Sequence, residues 1–244
     1  MFGLLHRLEY PRRMNTLSLC LSHCQFTDIS QTIGPYLRNY LQRRDRCRNG
    51  LGLHISPGSP IVLGVGVPQR FRLSPSTRPR MDFSATLTLQ LDQAPVDLQE
   101  RLSLGLIAYI PREDVTYFRM SGSLESVKDL CVQLPNLRTL DLYRVPLSMV
   151  FPIPDRDASD AQEIFPPSLH HIFLQRPIVD GFNWFPLVAY LSRRKASGNQ
   201  LSSVFIDGPC HMCRTVTHRV RALVQEFEIA DKSLESWCPF DACL

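Results

Sequence analysis

Apolar residues return along the C-terminal half of the chain in one fixed figure, apolar-x-x-apolar-x-apolar. Leu137, Leu140 and Leu142 write it first, inside Leu134-Pro135-Asn136-Leu137-Arg138-Thr139-Leu140-Asp141-Leu142. Leu169, Ile172 and Leu174 follow Phe165-Pro166-Pro167-Ser168, and Leu201, Val204 and Ile206 follow Gly198-Asn199-Gln200, so the anchor recurs at a spacing of 32 residues. Residues two apart share one face of a strand while those between face the other way. The figure therefore predicts short strands whose anchors enter a shared core. A fainter copy, Val115, Phe118 and Met120, stands 22 residues before Leu137, and Met14, Leu17 and Leu19 predict an edge strand over Asn15 to Leu21.

Between the anchors the period changes to that of helices. Asp28 and Gln31 resemble a capping box, with Ile29, Ile33, Leu37, Tyr40 and Leu41 at helical spacing, Gly34-Pro35 as a kink or a restart with Pro35 in the first turn, and Arg43, Arg44 and Arg46 at the helix end. Val96 to Tyr109 places Leu98, Leu102, Leu106 and Ile110 in one stripe that Pro111 stops. A third stripe, Leu124, Val127, Leu130, Cys131 and Leu134, follows Ser123 and ends at Pro135. A helix over Asn183 to Arg194 turns Phe185, Val188 and Leu191 inward and has Gly198 beyond its basic end. Val216, Val220, Leu223, Val224 and Phe227 predict a final helix.

Two stretches break this alternation of strand and helix. Leu51, Leu53 and Ile55, then Ile61, Leu63 and Val65, are period-two runs joined by Ser56-Pro57-Gly58-Ser59-Pro60, which predicts a hairpin over 51–67. Residues 152–164, with Asp155, Asp157, Asp160 and Glu163 and no periodicity, predict an acidic loop. Residues 68–80 predict an exposed loop, and Phe83 to Leu91 a strand whose Thr88 and Gln90 face water.

Three copies of Leu-x-x-Leu-x-Leu in phase are the grammar of a leucine-rich repeat. The expected fold is α/β, a solenoid arc of irregular repeats with a mostly parallel sheet on one face and helices on the other. One domain over 1–230 and a tail over 231–244 are expected. A hydrophobic content of 44% with 20% charged residues fits a globular chain, and 27 basic against 23 acidic residues leave +4, too little to indicate nucleic acid as a partner. No apolar run approaches the ~20 residues of a membrane span, so a cytoplasmic or nuclear protein without a membrane partner is expected. In a reducing compartment the eight cysteines serve as small buried hydrophobes.

Chemistry is sparse. Cys210-His211-Met212-Cys213 with Cys238 and Cys243 offers four thiolates, but the second pair has four intervening residues and no zinc fingerprint. Cys210 with His211 or His218 lacks an orienting third residue. Gly64-Val65-Gly66 lacks the third glycine of a dinucleotide loop. No catalytic, cofactor-binding or metal-binding residues are therefore expected; a zinc- or thiol-dependent enzyme is the rival class, distinguished by metal stoichiometry after purification. The residues alternating with the anchors, Thr88 and Gln90, Tyr117 and Arg119, Asp141 and Tyr143, His171 and Phe173, Phe205 and Asp207, are expected to line one exposed sheet face. Its aromatic rings beside charges suit a target protein, so Tyr117, Arg119, Asp141, Tyr143, His171, Phe173, Phe205 and Asp207 are the expected protein-binding residues.

The Leu134–Leu142 and Phe165–Leu174 motifs, with Leu8-Glu9-Tyr10-Pro11 before Thr16-Leu17-Ser18-Leu19, resemble the irregular repeat regions of fungal F-box proteins. The resemblance covers most of the chain. It implies a substrate receptor of a ubiquitin ligase, whose repeats hold the target while an F-box holds the Skp adaptor. Residues 1–13 carry no pattern for the F-box helices, so Skp binding is expected only from a segment upstream; an adaptor unrelated to ubiquitin is the other binding reading. The asparagine expected after each last anchor is replaced by Val145, Pro177 and Pro209.

Overall fold

The computed structural model describes residues 17–21, 34–35, 38, 51–56, 61–68, 83–91, 105, 108–121, 127–151, 166–179, 183–208 and 212–230. It falls into two compact units, Met1–Phe118 and Arg119–Leu244. The arginine-rich helix end, the 68–80 and 152–164 loops, Cys210, Cys238, Cys243 and the 231–244 tail lie outside the described residues, apart from Pro68 at a strand end.

In the first unit, β1 (Leu17–Leu21), β2 (Leu51–Ser56), β3 (Ile61–Pro68) and β4 (Phe83–Leu91) stand in the order β1-β4-β3-β2. The period-two runs pair as the predicted antiparallel hairpin, with Leu53 opposite Val65 and Ile55 opposite Leu63. Beta1 runs parallel to β4, bringing Leu17, Leu19 and Leu21 level with Leu87, Leu89 and Leu91. The backbones of Thr88 and Gln90 lie in β4, and their side chains lie outside the description. Gly34 is buried where an added Cβ would run into the Tyr109 ring. One turn on, the Arg38 guanidinium stands 5.3 Å from the same ring's centroid. Glycine at position 34 thus admits the aromatic ring, and the arginine covers it.

The chain passes from one unit to the other within β5 (Val115–Ser121). Val115, Phe118 and Met120 of the fainter anchor copy are all buried.

The second unit alternates helix and strand: α1 (Val127–Val132), β6 (Thr139–Tyr143), α2 (Leu147–Val150), β7 (His171–Gln175), α3 (Phe185–Ala196), β8 (Ser203–Asp207), α4 (Arg214–Leu223) and β9 (Glu226–Ile229). The class is α/β. Strands β6 to β9 are parallel in chain order, and α1 to α4 neighbour one another in the same order as a second layer. Register follows the anchors: Leu140, Ile172, Val204 and Phe227 form one row, and Leu142, Leu174, Ile206 and Ile229 the next. Leu137, Leu169 and Leu201 are also fully buried. Phe227 is half-buried, and each fully buried aliphatic side chain of these rows contributes about 1.5 to 3 kcal/mol.

The repeat is written in the backbone as well. Strands β6, β7 and β8 are each followed by a residue of positive φ at the equivalent position, Arg144 at 53°, Arg176 at 49° and Gly208 at 109°. Arg144 N donates to Gln175 O at 2.9 Å, and Arg176 N to Asp207 O, so each of the two arginines hangs from the next strand. The turns entering the strands stack too. Ser168 Oγ donates to Pro135 O at 2.8 Å and Leu137 O at 3.0 Å. Arg194, 2% exposed, donates back to Pro166 O, Pro167 O and Leu169 O in the turn before β7, and its Nε to Asn199 O. Side chains reaching back from the following repeat thus satisfy the turn carbonyls.

Two elements differ from expectation. Helix α3 does end at a left-handed glycine, with Gly198 N donating to Lys195 O and Asn199 N to Arg194 O, but its buried stripe is Pro186, Leu187, Val188, Tyr190, Leu191 and Arg194. Phe185 points outward at 40% exposure, because it is the first helical residue and its amide is drawn to Asn183 Oδ1 at 3.0 Å. The final helix stops at Leu223, and Phe227 belongs to the parallel strand β9. Glu226-Phe227-Glu228-Ile229 carries its own two-residue alternation, which prevails over the helical spacing from Val216.

Candidate binding surface

The face expected to be open is largely closed. Tyr117 is 1% exposed, Phe173 3% and Phe205 4%, which corrects the reading of these rings as surface anchors. Alternation separates an inner from an outer face only where one side of a sheet meets water; in β6, Thr139, Leu140, Asp141 and Leu142 are all buried, so both faces are covered. Phe173 and Phe205 are level on adjacent strands and pack on each other with centroids 5.9 Å apart.

Asp141 lies level with these rings and is 1% exposed. Its carboxylate accepts from Gln175 Nε2 at 2.9 Å, and Arg119 Nε stands 3.7 Å from Oδ2. A buried carboxylate held by a donor on one flank and a guanidinium on the other links β5, β6 and β7. Asp141 and Arg119 are thereby committed to holding the strands together, Arg119 keeping about a quarter of its side chain exposed.

At the entry edge, His171 Nδ1 and Ser203 Oγ are hydrogen bonded at 2.9 Å, with Ser203 buried. Burial lowers the His171 pKa from its ordinary value; His170 adds to that and Glu226 opposes it. A serine, a histidine and a glutamate in one row invite comparison with a hydrolytic triad, but the order is wrong. Ser203 stands level with Glu226 on one side and His171 on the other, so the histidine does not lie between hydroxyl and carboxylate. The hydrogen bond ties the entry ends of β7 and β8 together.

The remaining expected residues, Tyr143 and Asp207, are half-buried at the exit rim, where the strands end. Here sequence reasoning missed the principal feature. Arg144 and Arg176 are exposed, and the Arg144 guanidinium lies 5.4 Å from the Tyr143 ring centroid. The 32-residue spacing that aligns Tyr143 with Gln175 also aligns the two arginines, so the signal stands two positions beyond the last anchors Leu142 and Leu174. Open parallel sheets in α/β proteins bind ligands beyond the carboxyl ends of their strands.

Cys131 and Cys213 are free and buried, and burial pushes the Cys131 thiol up. Among the described residues no three or more His, Cys, Asp or Glu side chains gather to hold a metal, and no helix is long and apolar enough to cross a membrane. Comparison with family models, characterised proteins and solved structures gives no match.

Proposed function

We propose that residues 119–230 form a leucine-rich-repeat-like solenoid arc that recognises a target protein without catalysing a reaction. The observation that carries this reading is the level return of anchors, left-handed residues and stacked turns on successive strands. Such an array presents equivalent positions in a line, the geometry with which repeat proteins hold extended partners. By the resemblance of its motifs, the target would be a substrate of a ubiquitin ligase, and the Skp adaptor would be a partner only if an F-box exists upstream of this chain. The binding surface assigned here is the exit rim, Tyr143, Arg144, Gln175, Arg176 and Asp207, because the aromatic row beneath it is buried.

Site-specific photocrosslinking in the source cell tests the reading. A crosslinker replacing Tyr143 is expected to trap a discrete partner, whereas one replacing the exposed Ser192 of α3 traps none. Equal labelling from both positions, or none from position 143, would overturn it.

A further inference from the structure

We propose that Arg144 and Arg176 form a two-guanidinium clamp for an acidic peptide segment, an inference that rests on the recognition reading above and names the chemistry of its ligand. The backbone supplies the first argument. Both arginines occupy the left-handed region, at φ 53° and 49°, where a side chain with a Cβ is disfavoured. The third equivalent position holds Gly208, at φ 109°, so the fold itself accommodates glycine there. Arginine at the other two positions stands against local preference.

The side chains supply the second argument. Among the described residues neither guanidinium makes a hydrogen bond or an ion pair, and both side chains are exposed. The described carboxylates do not neutralise them: Asp141 is held by Arg119 and Gln175, and Asp207 forms no ion pair with either arginine among the described residues. Structural arginines of this unit look different, as Arg194 shows, with its buried head saturated by carbonyls.

Pre-organisation is the third. The Arg144 head lies over the Tyr143 ring, and the Arg176 stem lies close over Gly208, where an added Cβ would meet its Cγ at 2.7 Å. The two residues follow neighbouring parallel strands, so their backbones stand about 4.8 Å apart. Two forked donors on neighbouring strands suit the carboxylates of an acidic segment, each guanidinium engaging one carboxylate through two hydrogen bonds.

Fluorescence anisotropy of a labelled oligoglutamate peptide with the full chain, at low ionic strength, tests the clamp. The doubly substituted Arg144→Gly, Arg176→Gly protein keeps a residue suited to positive φ and is expected to bind at least about tenfold more weakly than the parent. The corresponding double lysine variant should fall between them, and Arg138→Ala, an exposed arginine at the opposite edge, should bind as the parent does. Equal affinity of parent and double glycine variant, an equal loss in Arg138→Ala, or no binding by the parent would overturn the proposal. So would saturable binding of anionic phospholipid vesicles through the same two arginines while the peptide is ignored. If the clamp fails while crosslinking from position 143 still traps a discrete partner, the acidic ligand is wrong and recognition stands; loss of both removes both.

Discussion

The guanidinium of Arg194 donates through Nη2 to the carbonyl of Leu169 at 2.8 Å, joining the last turn of one helix to the turn that opens the preceding strand. It also reaches Pro166 O and Pro167 O, so a single cation satisfies the bend of Pro166-Pro167-Ser168-Leu169. A regular repeat would use an asparagine beyond the strand for its buried carbonyls. Here the corresponding positions are Val145, Pro177 and Pro209, and the satisfying side chain comes from the helix instead.

Arg194→Met is therefore expected to destabilise the protein by about 3 kcal/mol, since it strands buried acceptors while keeping the volume of the stem. Lys195→Ala, which removes an exposed bond to Ala222 O, should change stability by less than about 0.5 kcal/mol. Urea unfolding of the two variants checks the contrast; similar midpoints would mean that the buried guanidinium contributes no more than a surface lysine.

Burial of the aromatic row gives a second expectation, opposite to that of an exposed face. Phe173→Ala should cost about 3 to 5 kcal/mol, as for other fully buried phenylalanines, while Tyr143→Ala, half-buried at the rim, should cost clearly less. Thermal melts followed by circular dichroism decide, and a Phe173→Ala protein that melts with the parent would restore the exposed reading of that face.

The contrast between these residues shows what the sequence carried. The leucine rows were legible because an in-phase figure repeated at constant spacing fixes both the strand and its inward face, as the fully buried Leu140, Ile172 and Leu174 show. Phe173 and Phe205 were misassigned because alternation states only that they oppose the leucines, not whether something covers them. Asp141 was read as a surface charge because its partners, Gln175 and Arg119, lie 34 and 22 residues away in sequence and become neighbours only once the strands are level. The arginine pair was hidden differently, since a left-handed backbone at a non-glycine residue leaves no mark in composition.

His171 supplies a pH dependence with a definite sign. Its folded pKa is lowered, chiefly by burial, so between that value and the ordinary 6.5 the unfolded chain takes up a proton that the folded chain refuses. Stability is unaffected by this group above the ordinary value and declines as pH falls below it, levelling once the folded pKa is passed. Replacing His171 with Asn, which removes the titration and keeps a polar group near Ser203 Oγ, should flatten the fall in melting temperature between neutral and mildly acidic pH. An identical pH profile in parent and variant would show that His171 titrates alike in both states.

The last expectation concerns Gly208 and Arg176. A Cβ at position 208 would sit at φ 109°, costing about 1 to 2 kcal/mol in backbone strain, and would also meet Arg176 Cγ at 2.7 Å. Gly208→Ala should then destabilise the protein by about 2 kcal/mol in the parent. Arg176→Gly alone should be nearly neutral, because relief of its own left-handed strain offsets the greater freedom of glycine in the unfolded chain. In the Arg176→Gly background the side-chain obstruction is gone, but φ and the Arg176 Cα at 3.1 Å remain, so the cost of Gly208→Ala should fall without vanishing. A double-mutant cycle by chemical denaturation should thus return a coupling of about 0.5 to 1 kcal/mol. Additive costs would place the Arg176 stem away from Gly208, and a neutral Gly208→Ala would deny the left-handed geometry at the third copy of the repeat.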